Sequence, residues 1–318
     1  MMAMKRLDLG NLPETEGRGK NPTQVGRYAK NLVRWFKNYR DYVVQGAWYP
    51  DEVFCDQGQS HGAKYAPGDP LLAPQTFKKL PKTMEIYQLM KERSPLYEEP
   101  FVIKDGNVCD RCNALCHTIV DNFKIQYREE KGNPISPSST HMAMRFFILS
   151  HYIADSHMPL HCDARKLEKV HAAIEKIWED QVKASYEIDT DNERFFYDPK
   201  GYPLTTSKMT NLMKTVEEKI ISRPFVFSWG DSDYSAWDYI SAVTEYSYLL
   251  AYEMIPQGSK DMTVTQYRAI PAFEHFNEYS AMLLADAVDS IARAWLHVWI
   301  RYRDWGPDKN KTIDNYSK

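Results

Sequence analysis

Hydrophobic positions recur every three or four residues along most of the chain, with polar positions between them. In residues 23–48, Val25, Tyr28, Leu32 and Trp35 follow this spacing, which places them on one face of an α-helix. The same period predicts further helices at residues 82–92, 108–129, 141–155, 166–186, 205–222, 235–254 and 271–304. The alternation of a half-buried strand is scarce, so we expect an all-α fold.

Proline and glycine separate these helical segments. Residues 50–82 are rich in both, which predicts a long irregular loop of the kind that often carries function. Residues 133–140 supply turn residues and an N-cap for the next helix, and Pro159 should end that helix. Residues 189–203 are expected to form another loop.

Length and composition place the chain among ordinary globular proteins. It has 318 residues, of which 43% are hydrophobic and 26% charged. No repeat, low-complexity tract or linker divides it, so we expect an N-terminal extension at residues 1–21 and a single domain at residues 22–318. The net charge of -3 gives no electrostatic reason to expect general binding to nucleic acid or anionic membranes.

The first residues lack the apolar core of a secretory signal, and no run is long enough to span a membrane. We therefore expect a cytoplasmic protein without stable membrane insertion, unless a signal has been removed.

Histidine is concentrated in one short region. The chain has nine histidines, and four of them lie between residues 151 and 171. His151 and Asp155 are four residues apart in a predicted helix, as are His171 and Glu175 in the next, so each pair shares a helix face. His161 follows the turn between them. Imidazoles and carboxylates converging from adjacent helices suit Zn²⁺, and two such pairs could hold adjacent metals in a cluster built between the helices.

A simpler interpretation also exists for each pair. A histidine four residues from a carboxylate can be an ordinary helix-stabilising contact, and a lone histidine on an apolar helix is more often a hydrogen-bonded core residue. Three elements that contribute such residues together favour the metal site over three separate contacts.

The motif "HYIADSHMPLH" followed by "HAAIE" resembles the signature of the superfamily of zinc-dependent phospholipases C and single-strand-specific nucleases. That signature has a histidine, an Asp four residues later, a proline and a second histidine, then His-x-x-x-Glu in the phospholipases or His-x-x-x-Asp in the nucleases. Ala154 replaces the usual glycine. Weaker likeness extends to "GAWYPDEVF" and "QSHGAKYAP", and the resemblance covers most of the chain from about residue 22.

The resemblance implies two zinc sites. Ligands of the first would be Asp51, His61, His151 and Asp155, and ligands of the second would be His161, His171 and Glu175. Asp51 and Asp155 are the candidate catalytic carboxylates, and Asp51 could also act as a base or orient the attacking water. Asp56 competes with Asp51 as the upstream carboxylate. His157 lies between ligands and is expected to be structural.

A third zinc in the secreted relatives uses an N-terminal Trp and a nearby His. Neither is found at the start of this chain, and Gln24 falls near the place of the missing histidine. The third site is therefore either lost or rebuilt from other groups.

The resemblance implies a phosphodiester hydrolase in which zinc-bound hydroxide attacks phosphorus. Glu175 in place of Asp favours the phospholipase C branch, with a phospholipid as the substrate. A single-strand nuclease or nucleotide phosphodiesterase is the alternative, with nucleic acid or a nucleotide as substrate. A binding protein stabilised by zinc without catalysis is a third possibility. The oligomeric state is left open.

Other candidate residues are expected to have structural roles. Cys109, Cys112 and Cys116 share one helical face, which favours core packing over a further zinc site. Cys55 and Cys162 adjoin proposed ligands but are the weaker metal candidates. His275 and His297 on the C-terminal helix are expected to be core residues or to make hydrogen bonds between helices. Trp229, Tyr234 and Trp237 are expected to pack or to line a cleft.

Overall fold

The helical periodicity of the sequence corresponds to ten α-helices in the part of the chain that the structure, a computed structural model, describes. That part comprises residues 1–9, 22–56, 58–67, 101–128, 137–189, 194–225 and 235–305. The helices are α1 (Met2–Leu9), α2 (Pro22–Val43), α3 (Tyr49–Glu52), α4 (Val108–Arg128), α5 (Ser139–Ser156), α6 (Glu168–Ser185), α7 (Asn211–Ser222), α8 (Ser235–Met254), α9 (Val264–Arg268) and α10 (Phe276–Trp305). The predicted all-α class is confirmed.

Two short antiparallel strand pairs accompany the helices. Strand β1 (Lys64–Pro67) pairs with β2 (Phe101–Asp105), and β3 (Ile188–Asp189) pairs with β4 (Arg194–Phe195). Residues 50–67 were expected to be irregular, but they contain most of α3, a 3₁₀ turn at Gly58–Ser60 and β1. That prediction was wrong because the prolines and glycines lie at turn positions, where they are compatible with the hydrogen bonds of short helices and strands. The predicted loop at 189–203 likewise includes β4. The predicted helix at residues 82–92 lies outside the described residues.

Helix α10 lies at the centre of the packing. It contacts α1, α2, α4, α5 and α7, which explains why so much of its length is apolar. Trp295 on α10 is buried against Phe36 of α2, and its indole N–H donates to the carbonyl of Phe146 on α5 at 2.8 Å. This contact satisfies the polar atom of a large buried ring, as a buried tryptophan requires. The core thereby fixes α5, which carries two of the predicted metal ligands.

Capping and proline set the ends of α5. The side chain of Ser138 accepts a hydrogen bond from the backbone N–H of His141 at 3.1 Å, so it is the N-cap. The helix ends at Ser156, and Pro159 then begins a 3₁₀ turn that includes His161. Both boundaries follow the sequence prediction. The helix predicted from residue 205 begins at Asn211 because Thr210 caps it.

The N-terminal segment contributes to the core. Met4 and Leu7 of α1 are fully buried, as is Arg6. The Nε of Arg6 donates to Oδ1 of Asp289 on α10 at 2.7 Å, and its Nη2 donates to the carbonyl of Arg223 at 2.9 Å. The described part of the predicted 1–21 extension is therefore packed against the helical domain.

The cysteine face of α4 is confirmed as core. Cys109, Cys112 and Cys116 are all buried, and burial raises the pKa of the Cys109 and Cys116 thiols to about 12. His297 is buried, as expected.

The structure revises one expectation for the C-terminal part of the chain. His275 is exposed beside Glu274 and Glu278, so its predicted core role was wrong: the 3₁₀ turn at Pro271–His275 precedes α10 and lies at the surface. Trp237 is partly buried and donates to Asp110 at 3.1 Å. Trp229 and Tyr234 lie outside the described residues.

Within the described part of the chain, each helix is too short or too polar to cross a bilayer.

Candidate metal centre

Six of the seven predicted ligands line one cavity, and the seventh, His151, lies directly against two of them, His61 and Asp155. The cavity has a volume of about 700 Å³. Helix α5 supplies His151 and Asp155, the 3₁₀ turn after it supplies His161, and α6 supplies His171 and Glu175. Asp51 comes from α3, and His61 follows the turn at Gly58–Ser60. Two helices, two turns and one short helix therefore converge, although up to 124 positions separate their residues in the chain.

The first group contains Asp51, His61 and His151. One ligand atom of each lies within 4.8 Å of the others. Oδ1 of Asp51 is 3.7 Å from Nε2 of His61 and 3.7 Å from Nε2 of His151. Distances of this size leave room for a metal ion between the atoms, since zinc binds nitrogen and oxygen at about 2.0–2.2 Å.

The hydrogen bonds around the first group fix the tautomers of both histidines. A carbonyl and a carboxylate only accept, so Nδ1 of His151 donates to the carbonyl of Ala47 at 2.8 Å. For the same reason Nδ1 of His61 donates to Oδ2 of Asp155 at 2.6 Å. In a neutral His61 ring Nε2 is then left with its lone pair, whereas Nε2 of His151 lies 3.1 Å from Nδ1 of His61. Nε2 of His61 is buried and has no hydrogen-bond partner among the described residues. Metal-binding histidines show this pattern of one fixed N–H and one available nitrogen.

Charge around His151 and Asp155 favours a bound cation. Nε2 of His151 lies 3.0 Å from Oδ2 of Asp155, a separation that needs a proton or a metal between two acceptors. Burial lowers the pKa of His151, but the bond with Asp155 and the charges of Asp155 and Asp51 outweigh it, and the pKa is raised. Burial likewise raises the pKa of Asp155, but the hydrogen bonds with His151 and His61 hold it well below its usual range. The site therefore holds an ionised carboxylate beside a ring that attracts positive charge.

The second group contains His161, His171 and Glu175. Their ligand atoms lie within 4.8 Å of one another. Nε2 of His171 is 2.9 Å from Oε1 of Glu175, and Nε2 of His161 is 3.8 Å from the same oxygen. Nδ1 of His161 is buried without a hydrogen-bond partner among the described residues.

In the second group the pKa of the carboxylate is again lowered, but the pKa of the buried histidine is lowered too, unlike that of His151. Burial lowers the pKa of His161. Burial raises the pKa of Glu175, but the hydrogen bond and charge of His171 lower it further than burial raises it. The charges of Asp155 and His161 also alter each other's pKa. Asp155 therefore interacts with both groups.

A backbone contact that sequence reasoning missed holds the two groups together. A Cβ at Gly62 would lie 2.1 Å from the carbonyl oxygen of His161, so only glycine permits this approach. The N–H of Tyr65 then donates to the carbonyl of Cys162 at 2.9 Å, and the N–H of Ala164 donates to Tyr65 at 3.0 Å. In the sequence, the glycine directly after His61 was the signal that could have indicated this close contact.

The structure separates Asp51 from its competitor. Oδ2 of Asp56 accepts hydrogen bonds from Arg111 and from the hydroxyl of Tyr152. Asp56 lies at the cavity wall but outside the two groups of converging ligand atoms, whereas Asp51 belongs to the first.

Other residues near the motif have structural contacts. Nε2 of His157 lies 2.9 Å from the hydroxyl of Ser290 in the core, as expected of a structural residue. Cys162 is buried, and its thiol donates to the carbonyl of Ser156 at 3.4 Å. Cys55 is exposed.

A third group of converging ligand residues is not found among the described residues. The side chain of Gln24 lies outside them.

Comparison with known proteins adds no further assignment: no protein-family model, curated protein or solved structure matches this chain.

Proposed function

We propose that the protein is a zinc-dependent phosphodiester hydrolase of the phospholipase C type. The observation that carries the proposal is the pair of three-residue groups that converge in one cavity, with Asp155 interacting with both. Two structural histidine–carboxylate pairs would have no reason to share a cavity.

The donor set fits zinc. Imidazole nitrogen and carboxylate oxygen are ligands that zinc accepts readily. The buried Nε2 of His61 has no hydrogen-bond partner among the described residues, which costs about 1–3 kcal/mol of free energy, and a bound metal would remove that cost. Asp51, His61, His151 and Asp155 would hold one ion, and His161, His171 and Glu175 the other.

Bound zinc would supply a water of pKa near 7 and neutralise charge on the phosphate oxygens. The chain's own residues prepare the site for this chemistry. Asp155 holds the His61 ring in place through its 2.6 Å hydrogen bond. The Asp51 side chain is 63% exposed at the cavity, so it can reach a water there, orient it and accept its proton.

Lys64 is suited to contact the substrate phosphate. It is the only Lys or Arg among the described residues that line the cavity, and it makes no ion pair with a described carboxylate. A free ammonium beside the metal groups can pair with a non-bridging phosphate oxygen.

Charge favours a phospholipid over nucleic acid as the substrate. Five carboxylates line the cavity against that one lysine, whereas binding to a nucleic-acid backbone draws on several Lys and Arg contacts. Glu175 also favours a phospholipid, because the motif it resembles has Glu at this position in the phospholipases and Asp in the nucleases. Single-stranded DNA and nucleotides are the second candidate substrates.

The test is hydrolysis by zinc-loaded protein of dihexanoylphosphatidylcholine and of single-stranded DNA, beside a His151→Ala variant. We expect cleavage of the phospholipid, loss of at least about 10³-fold in the variant, and a variant that still folds by circular dichroism. Cleavage of DNA alone would favour the nuclease. Zinc binding and zinc-dependent thermal stability without any turnover would favour a non-catalytic zinc-stabilised protein.

A further inference from the structure

Three large apolar side chains are exposed beside the proposed ligand Asp51. Trp48 is 49% exposed, Val53 58% and Phe54 51%. They flank the short helix α3, and we call these three residues the apolar rim. Large apolar residues scattered singly on a surface need no explanation, but three within seven consecutive residues form a local cluster of the kind that marks interaction sites.

The backbone holds this segment in a defined shape. The N–H groups of Val53 and Phe54 both donate to the carbonyl of Tyr49, at 3.0 and 2.8 Å. Cys55 then adopts a left-handed conformation with φ of 47°, which is uncommon for a residue other than glycine. Asp56 ends the segment through its bonds to Arg111 and Tyr152. The apolar rim is therefore displayed by an ordered turn.

The same segment forms part of the cavity wall. Asp51 and Asp56 line the cavity, and Val53 and Phe54 lie between them in the chain. A surface that contacts the apolar rim would consequently lie next to the opening beside the metal groups.

Charge limits the kind of partner that fits here. Residues 48–56 carry Asp51, Glu52 and Asp56 and contain no Lys or Arg. The cavity adds Asp105, Asp155 and Glu175 against Lys64. An anionic polyphosphate or an anionic membrane would be repelled by this arrangement. A zwitterionic phospholipid surface has no net charge, and its quaternary ammonium groups are attracted by carboxylates.

The side chains agree with a lipid partner. Tryptophan favours the membrane–water interface, where its ring enters the apolar layer and its N–H remains hydrated. Val53, the most exposed of the three, has no ring with which to stack on a nucleobase. A lipid layer accommodates all three side chains, whereas single-stranded nucleic acid uses only the two aromatic rings.

We propose that Trp48, Val53 and Phe54 dock the protein onto zwitterionic phospholipid surfaces and so bring the lipid phosphodiester to the cavity. This docking role presupposes the proposed phospholipase activity. Binding to vesicles can nevertheless be measured without turnover.

The experiment compares zinc-loaded wild type with Phe54→Asp, Val53→Asp and Phe196→Asp variants. Phe196 is a matched control because it is 52% exposed and does not line the cavity. Partition onto phosphatidylcholine vesicles is measured by co-sedimentation, and hydrolysis is measured on the same vesicles and on dihexanoylphosphatidylcholine below its micelle concentration. Phe54 also contacts the Tyr49 ring, so Phe54→Asp removes a packing contact as well as an exposed apolar side chain. Val53→Asp is included because it leaves that ring contact in place.

The expected result is a loss of vesicle partition of about tenfold or more in Phe54→Asp and Val53→Asp, with Phe196→Asp like wild type. Vesicle hydrolysis should fall by the same factor, while hydrolysis of the monomeric lipid is retained. Equal partition by all four proteins, or no partition by wild type, would overturn the proposal. The proposal would also be overturned if Phe54→Asp lost binding to single-stranded DNA while its binding to vesicles was unchanged.

The two proposals fail separately. Vesicle partition that depends on the apolar rim without hydrolysis of either lipid would refute the hydrolase and leave the docking surface. Hydrolysis of the monomeric lipid with no vesicle partition would refute the docking surface and leave the hydrolase.

Discussion

Nδ1 of His61 lies 2.6 Å from Oδ2 of Asp155, a residue 94 positions later in the chain. This hydrogen bond joins a turn after α3 to the last turn of α5, and it directs the available nitrogen of His61 towards Asp51. The carboxylate therefore does more than offer a ligand atom, since it also sets the orientation of another proposed ligand.

Replacing Asp155 with Asn should weaken zinc binding. The amide carries no charge and can turn an N–H towards His61, which disfavours the tautomer that the site needs. We expect zinc affinity to fall at least about tenfold, measured by competition with a chromogenic chelator. Asp121→Asn is the control, because Asp121 is exposed on α4 and pairs only with Lys124 among the described residues. Equal affinity in both variants would contradict the role of Asp155.

Alanine at position 62 should separate the two metal groups. Its Cβ would lie 2.1 Å from the carbonyl oxygen of His161, and neither backbone segment can yield without moving a ligand. We expect a loss of about 1–3 kcal/mol in the free energy of unfolding and weaker zinc binding, measured by urea denaturation and zinc titration.

Gly58→Ala is the matched control for that substitution. Gly58 also lines the cavity, but a Cβ there would meet no atom within 4 Å. Its stability should stay within about 0.5 kcal/mol of wild type. If Gly62→Ala behaved as Gly58→Ala does, the close backbone approach would not be needed to hold the site.

Sequence patterns predicted the helices and the local His-x-x-x-acid pairs better than they predicted how Asp51 and His61 reach the cavity. The His-x-x-x-acid spacing of α5 and α6 is local, so helical geometry alone places His151 beside Asp155 and His171 beside Glu175. The position of His61 depends on the contact between Gly62 and His161 and on the pairing of β1 with the chain after Cys162. Those contacts join distant segments, and no periodicity in the sequence encodes them.

The choice between Asp51 and Asp56 shows the same limit. Both carboxylates precede His61 at plausible spacing. Only tertiary structure shows that Arg111, 55 positions after Asp56, pairs with that residue and leaves Asp51 with the histidines.

Lys64→Met should impair substrate binding without affecting the metals. The methionine keeps most of the side-chain volume and removes the ammonium that would contact the phosphate. We expect KM for the phosphodiester to rise about tenfold, with a much smaller change in kcat, because a charge-assisted hydrogen bond contributes about 1.5–3 kcal/mol. Steady-state kinetics with zinc content measured on the same samples provides the check. An unchanged KM, or a loss of zinc, would contradict this role, and Lys124→Met outside the cavity should behave as wild type.

His157 should make the metal-free protein sensitive to acid. Burial lowers the pKa of this ring to about 4 from 6.5, so the unfolded chain binds the proton more readily than the folded chain does. The neutral ring imposes no penalty above pH 6.5, and stability is lost progressively as pH falls from 6.5 to about 4. The full difference corresponds to about 3 kcal/mol.

A His157→Gln variant tests that pH dependence. Gln cannot titrate, so between pH 7 and pH 4 it should lose about 3 kcal/mol less than wild type does in urea unfolding without metal. Identical pH profiles for the two proteins would show that His157 is not the acid-sensitive group.

The central claim is that two groups of side chains bind zinc, and metal content tests it most directly. Protein purified without chelators or a histidine tag should contain about two zinc ions per chain by elemental mass spectrometry. His151→Ala and His171→Ala variants should each contain about one, since each retains the other group. Zinc near zero in wild type, with no uptake on titration, would contradict the account and leave these histidines as hydrogen-bonded structural residues.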